Sequence, residues 1–463
     1  MTSWKVRKNK IHFTSLGCAR NLVDTEVMLG LVLKAGYEVT DQEHEADFLV
    51  INTCGFLESA RQEALDTLDE LDEEKKEGAK LIVTGCMVQK HSAVLKEHFP
   101  QIHYLLGSGD VDKILHALST EEEGEEITSS RSFLQSGEIP RALSTPSHFA
   151  YLKIAEGCAK RCSFCIIPTI KGVLKSKSIE QVAREFDALL AQGVHEIILI
   201  AQDLGDYGKE RKMVGGLETL LGELLKRKGN FWLRLLYLYP DEITDELIAL
   251  MQSDTRLVPY LDMPIQHINS DILKAMRRKT SKEHIVSTYQ KLRAAVPDVV
   301  IRTSLMVGFP GETEEQFEEL LAFIEECPLD HIGVFPFSLE EGAHAAKLDG
   351  HLPEEVKQDR YHRLMAAQQE IVRKNQEKYL GQTLDVIVEG YHPDSEHLMQ
   401  GRFYGQCPDI DGQVIINDGR AVEKFGELYE VEITDILDYD LIGKAIKPVK
   451  TKKQGSPLQL VHE

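Results

Sequence analysis

Short apolar runs recur along residues 8–118 with helix-like stretches between them: Ile11-His-Phe-Thr-Ser-Leu, Asp47-Phe-Leu-Val-Ile-Asn and Lys80-Leu-Ile-Val-Thr-Gly. Continuous apolar runs of this length fit strands buried on both faces, and their alternation with helices predicts an α/β domain built on a parallel sheet. Residues 119–147 lose the apolar period. Glu121-Glu-Glu-Gly-Glu-Glu gives way to Ser, Pro and Gly, the composition of a linker. Over 148–378 strand-like runs return at Tyr151-Leu-Lys-Ile-Ala, Glu196-Ile-Ile-Leu-Ile-Ala, Trp232-Leu-Arg-Leu-Leu-Tyr, Tyr260-Leu-Asp-Met-Pro, Val300-Ile-Arg-Thr-Ser-Leu-Met-Val and His331-Ile-Gly-Val-Phe-Pro. With helices between them they predict a (β/α) barrel or part of one. The helical stretch from Glu354 to Glu377 leads into 379–449, where alternating strands such as Asp385-Val-Ile-Val-Glu and Gln413-Val-Ile-Ile-Asn are separated by Gly and Asp turns. That pattern fits a small antiparallel β-barrel, with 450–463 as a tail.

Composition narrows the class. At 42% hydrophobic and 28% charged, the 463 residues are ordinary globular material, which excludes a disordered or collagen-like chain. No apolar run approaches the roughly 18 residues that cross a bilayer, and the basic start lacks an apolar stretch after it, so no membrane partner and a cytoplasmic location are expected. Lys and Arg number 53 against 75 Asp and Glu, a formal charge of −22. An acidic surface repels phosphate backbones and attracts basic partners. In such a compartment the eight cysteines point to metal or redox chemistry rather than to disulfides.

Six of those cysteines fall into two patterns. Cys18, Cys54 and Cys86 each follow one of the first three apolar runs, about one βαβ unit apart, so adjacent parallel strands would bring three thiols to one sheet edge. Three unrelated buried thiols would not share that position. Cys158, Cys162 and Cys165 form C-x3-C-x2-C in Glu156-Gly-Cys-Ala-Lys-Arg-Cys-Ser-Phe-Cys. Three thiolates on a cubane iron-sulfur cluster leave the fourth iron open to a small molecule. A zinc knuckle, or a closed cluster with a distant fourth ligand, also fits the spacing, but neither accounts for the barrel pattern that follows. Cys327 and Cys407 read as idle buried thiols.

The C-x3-C-x2-C motif, with Phe164 before its last cysteine, resembles the signature of the radical S-adenosylmethionine (SAM) superfamily. The blocks Ser15-Leu-Gly-Cys-Ala-Arg-Asn-Leu-Val-Asp-Thr-Glu, Asn52-Thr-Cys-Gly-Phe and Gly85-Cys-Met resemble its methylthiotransferase branch, and the third section resembles that branch's TRAM domain. The resemblance implies a first 4Fe-4S cluster on Cys18, Cys54 and Cys86 and a SAM-cleaving 4Fe-4S cluster on Cys158, Cys162 and Cys165. It implies two SAM per turnover, one giving a methyl group and one a radical, together with a sulfur donor, a reductant and an electron donor protein. The net reaction would insert a methylthio group.

Further candidates lie where barrel sites form, at strand ends: Gln202 and Asp203 after the run Ile197 to Ala201, and Arg234, Gln266 and Arg302 at comparable positions. Gly308 and Gly311 in Gly-Phe-Pro-Gly-Glu follow a strand, and the resemblance makes them SAM contacts; a plain turn capped by Thr313 fits equally. With Phe164 these are the candidate cofactor contacts. His267 reads as a structural histidine, and Asp66 to Glu77 as a solvated helix face.

The branch divides between enzymes modifying adenosine in tRNA and those modifying an aspartate β-carbon of ribosomal protein uS12. Residues 379–449 carry Asp or Glu fourteen times and Lys or Arg five times. A module that grips phosphates is basic, so the third section favours a basic protein substrate, free or in the small subunit, over direct nucleic-acid binding. Ser15-Leu-Gly-Cys-Ala-Arg-Asn and Tyr260-Leu-Asp-Met-Pro-Ile-Gln-His also resemble the uS12 branch. The alternatives are the tRNA adenosine enzyme and an iron-sulfur carrier or scaffold without chemistry of its own.

Overall fold

The computed structural model describes residues 9–128, 132, 134 and 139–449. The first section forms one all-parallel sheet from β1 (Lys10–Ser15), β2 (Glu38–Val39), β3 (Phe48–Thr53), β4 (Lys80–Gly85), β5 (Ile102–Gly107) and β6 (Gly124–Glu126), in the order β2-β1-β3-β4-β5-β6. Every residue of β3 and β5 is buried because helices cover both faces. Helix α1 (Ala19–Lys34) packs Val27, Met28 and Val32 on one face. Helices α2 (Glu58–Glu74) and α3 (Cys86–His98) pack Ala64, Leu68, Val88 and Leu95 on the other. The adjacency of β1, β3 and β4, with Ser15 beside Asn52 and Thr53 beside Gly85, makes the three apolar runs end together.

The stretch read as a linker is in part structured. Gly124–Glu126 extends the sheet as β6, parallel to Tyr104–Leu106, and Leu134 joins the core beneath. Edge pairing uses backbone groups and tolerates exposed acidic side chains, so composition hid it. Arg141 Nε donates to Glu26 Oε2 (2.9 Å) and the Ser144 amide to Glu26 Oε1 (2.8 Å), strapping this segment to α1.

In the second section β7 (Phe149–Lys153) is followed by a short antiparallel pair, β8 (Ala155–Glu156) and β9 (Lys175–Ser176), and then by β10 (Glu196–Ile200), β11 (Trp232–Leu235), β12 (Leu257–Asp262), β13 (Val300–Val307) and β14 (His331–Pro336). The order β14-β13-β12-β11-β10-β7, parallel throughout, is an open partial barrel. Its concave face packs Tyr151, Ile198, Leu236, Tyr260 and Val300 against Ala19, Leu22 and Val23 of α1 and against Tyr404 and Cys407. The third section closes a barrel from β15 (Thr383–His392), β16 (Ser395–Phe403), β17 (Val414–Asp418), β18 (Glu427–Leu437) and β19 (Asp440–Pro448), in the order β15-β16-β17-β19-β18. Four of its pairings are antiparallel and one, β17 with β19, is parallel, so the barrel is predominantly antiparallel as expected.

A buried ion chain docks this barrel onto the concave face. Glu196 Oε1 accepts from Arg234 Nε (2.5 Å) and Oε2 from Arg402 Nη2 (2.9 Å), which also reaches Glu389 (2.7 Å). Arg234 Nη1 donates to the Tyr404 carbonyl (2.8 Å). Arg234 is therefore not a strand-end ligand contact: it sits in mid-strand, wholly buried, committed to the third section. Removing one member of such a buried network strands the others. Glu196→Gln is expected to lower stability by about 3 kcal/mol, read as a lower midpoint in thermal or urea unfolding.

Candidate active site

Three turns at the ends of β1, β3 and β4 carry the first thiols. Cys18 is the N-cap of α1, Cys54 follows β3 and Cys86 opens α3. Gly17 holds a φ of +87°, and a Cβ there would lie 2.8 Å from Cys54 Cβ, so only glycine lets the two cysteine turns touch. Asn21, buried, ties the turns together: its Nδ2 donates to the Leu16 and Thr53 carbonyls (3.1 Å each) and its Oδ1 accepts from Cys86 Sγ (3.6 Å). Asn52 Nδ2 donates in turn to the Asn21 carbonyl (2.8 Å). Burial pushes the Cys86 thiol up to about 12 against the nearby Lys171 charge, and raises Cys54 too. Burial also opposes ionisation of Cys18, but the Arg20 guanidinium beside it prevails and holds that thiol at about 7.

The second set lies on the loop that β8 and β9 pin at its base. A Cβ on Gly157 (φ +79°) would meet the Val173 carbonyl at 2.2 Å, so the loop leaves β8 through a conformation reserved for glycine. The Cys158 amide donates to the Gly172 carbonyl (3.2 Å) and the Cys165 amide to the Cys162 carbonyl (3.1 Å). Backbone amides of Lys160 and Ile167 donate to Cys158 Sγ (3.4 Å) and Cys165 Sγ (3.5 Å), while Arg278 Nη1 lies 4.0 Å from Cys162 Sγ. Burial raises Cys158 to about 11 and Cys165 to about 12. Soft thiols whose sulfurs already receive N–H donors are a donor set that fits iron-sulfur clusters.

Arg20 joins the two sets. Its Nη1 donates to the Ala201 carbonyl at the end of β10 (3.0 Å), its guanidinium stands 4.7 Å above the Tyr237 ring, and its charge acts on both Cys18 and Cys165. Tyr237 holds a φ of +63°. Lys160, inside the cysteine loop, pairs with Asp203, Glu242 (3.1 Å) and Asp206 (3.4 Å) and lies 4.0 Å over the Tyr239 ring. Arg20, Asn21, Lys160, Tyr237, Tyr239 and Arg278 escaped the sequence reading. Four of them lie in stretches the sequence marks: Arg20 and Asn21 in the block around Cys18, Lys160 inside the C-x3-C-x2-C motif and Tyr237 at the end of the run from Trp232, whereas Tyr239 and Arg278 carry no such signal.

The other expected residues fare differently. Gln202 follows β10 with a buried Oε1 that has no partner among the described residues, as a ligand contact would. Asp203 is held by Lys160 and accepts from the Gly205 amide (3.0 Å). Phe164 packs against Met276, Phe309 and Ala345. Gln266 bridges Ser304 and Met306 through its backbone, and Arg302 pairs with Asp262 (2.8 Å) and Asp411 (3.4 Å). Gly308 donates to Glu312 Oε2 (2.5 Å) and Gly311 to the Gly350 carbonyl (2.8 Å), and Thr313 and Gln316 form a capping box, so this segment is a packed turn. His267 is buried and held neutral, with Nδ1 accepting from the Asn269 amide (3.0 Å).

Comparison with known proteins agrees with this geometry. Family models match residues 10–107 (Uncharacterized protein family UPF0004), 152–324 (Radical SAM superfamily) and 380–446 (TRAM domain). The ribosomal protein uS12 methylthiotransferase RimO of Protochlamydia amoebophila is 63% identical over 95% of this chain and 93% of that one. Its namesakes from Chlamydia abortus (55%, 96% of each chain) and Bdellovibrio bacteriovorus (43%, 95% and 98%) align as completely. Among solved structures, the radical S-adenosylmethionine methyltransferase TsrM from Kitasatospora setae superposes with a TM-score of 0.54 over 71% of this chain and 75% of that one, at 16% identity, a likeness of fold. With two cysteine triads facing one interface and end-to-end identities of 43–63%, the chain belongs to the RimO family of ribosomal protein uS12 methylthiotransferases, within the radical SAM superfamily.

Proposed function

We propose that the protein replaces a hydrogen on the β-carbon of an aspartate in ribosomal protein uS12 with a methylthio group. The observation that carries this reading is Arg20 spanning the two thiol sets, bonded to the end of β10 and beside Cys18. Cys158, Cys162 and Cys165 hold the cluster that binds SAM, and Cys18, Cys54 and Cys86 hold the second. When bound, the two 4Fe-4S clusters supply the electron that cleaves SAM and the site at which sulfur is methylated. The chain's own residues position and seclude. Gln202 offers an unpartnered acceptor at the strand end, and Lys160 fixes Asp203 beside the loop. Helix α1 and the segment from Tyr404 to Cys407 cover the concave face, keeping water from the reacting carbon. A sulfur donor and a low-potential electron donor protein complete the reaction. No helix among the described residues is long and apolar enough to cross a membrane; the cytoplasmic site of action belongs to this reading because its substrate is a ribosomal protein.

The third section supports a protein substrate. Each of its five basic residues pairs with a carboxylate: Arg402 with Glu196 and Glu389, Arg420 with Asp418, Lys424 with Glu427, Lys444 with Glu432 and Lys447 with Glu430. Phosphate binding draws on clustered cations, whereas this acidic surface complements a basic ribosomal protein. The anaerobically reconstituted protein, given SAM, sulfide and a reductant, is expected to add a methylthio-for-hydrogen mass to uS12 and none to tRNA offered in parallel. A mass gain on tRNA adenosine alone would overturn the choice of substrate.

A further inference from the structure

Lys153, Lys171, Lys177, Arg234, Arg360 and Arg402 are buried, and each is paired with a carboxylate. Two arginines depart from this rule: among the described residues Arg278, equally buried, and Arg20, partly buried, have no carboxylate in ion-pair range. Both rest on tyrosines of one short segment after β11. Arg20 stands 4.7 Å above the Tyr237 ring, and Arg278 stands 3.7 Å above Tyr239. Each also stands beside a different cysteine set, although the charge of Arg20 reaches Cys165 of the second set as well as Cys18 of its own. Arg278 Nη1 lies 4.0 Å from Cys162 Sγ, its Nη2 donates to the Pro264 carbonyl, and its buried Nε has no partner. Arg20 follows Cys18 by two residues at the start of α1 and is tethered to Ala201.

A buried cation needs a counter-charge, and a three-thiolate iron-sulfur cluster is an anion whose negative charge grows on reduction. We propose that Arg20 and Arg278 are positioning residues, each propped on its own tyrosine so that its charge favours the reduced form of the cluster held by the facing cysteine set. One electron enters from an external low-potential reductant, with no proton taken up and no bond made. Tyr237 supports the pairing by accepting a left-handed backbone conformation that turns its ring under Arg20. This inference rests on the reading that both cysteine sets hold 4Fe-4S clusters.

The test is an EPR-monitored redox titration of the full-length, anaerobically reconstituted protein with dithionite. It is run in a Cys18/Cys54/Cys86→Ala background and in a Cys158/Cys162/Cys165→Ala background, so that each cluster is read alone. Arg278→Met is expected to lower the reduced-to-oxidised ratio of the cluster on Cys158, Cys162 and Cys165 about tenfold at fixed potential, equivalent to about 59 mV for one electron, and Arg20→Met to do the same to the other cluster. Arg→Lys variants keep the charge and should stay near the parent. Arg→Gln variants are a second neutral pair, used if a methionine variant does not accumulate, and should fall as methionine does. Unchanged potentials in the neutral variants at full iron content, or the same fall in the lysine variants, would overturn the proposal. Failure of either parent background to take up four irons would instead overturn the reading on which it rests.

Discussion

Cys162→Ala is expected to cut SAM cleavage at least about a thousandfold, a part of the roughly 10⁶-fold or greater acceleration that enzymes provide, whereas Cys54→Ala leaves cleavage running and abolishes the methylthio product. The asymmetry follows from where the thiols sit. Cys162 lies on the loop pinned between β8 and β9, with Arg278 at 4.0 Å, and its loss leaves two thiols for a cluster that needs three. Cys54 stands in the other set, against Gly17 and within the turns that Asn21 ties, on a different sheet. The measurement is paired: 5′-deoxyadenosine released from SAM, and modified uS12 by mass, from the same reaction. Equal loss of both products in both variants would contradict separate roles for the two sets.

Much of this arrangement was legible in the sequence because of one geometric fact. Buried parallel strands read as continuous apolar runs, and a cysteine directly after each run marks the sheet edge where ligands sit. The runs ending near Leu16, Asn52 and Gly85 therefore mark Cys18, Cys54 and Cys86 from the sequence alone, and the adjacency of β1, β3 and β4 follows from short crossovers. Arg234 misled because a strand's residues alternate in direction and its end is not marked: the side chain points inward at mid-strand and meets Glu196 and a carbonyl some 170 residues away. Strand β6 was hidden because edge pairing leaves no apolar trace. Arg278 and Tyr239 meet Cys162 only through the fold, so no local pattern announces them.

The other large effect is expected at Asp24. Buried in α1, it pairs with Lys153 and with Lys171 Nζ (3.2 Å), while Glu156 Oε1 lies 3.3 Å from Lys153 and 2.9 Å from Lys171. Lys153 ends β7, Glu156 ends β8 two residues before Cys158, and Asp24 lies six residues after Cys18. The quartet thus registers the helix that begins at one cysteine set against the strand that delivers the other. Asp24→Ala leaves two buried ammonium groups to share one carboxylate, and a loss of about 3 to 5 kcal/mol is expected, read as a lower unfolding midpoint. Asp24→Leu combined with Lys171→Met removes one charge of each sign and should recover most of that loss. The network also fixes the acid limit. Burial opposes ionisation of Glu156, yet Lys153 and Lys171 hold its carboxyl down at about 2, below an unfolded value of about 4.3. A depressed folded value contributes stability in full above the unfolded value and loses it as pH falls towards 2, so the parent should destabilise across that window. Because register and stability share these four side chains, Asp24→Ala should lower methylthio transfer more than SAM cleavage, and an unchanged ratio of the two products would show that the quartet stabilises the fold without setting the distance between the thiol sets.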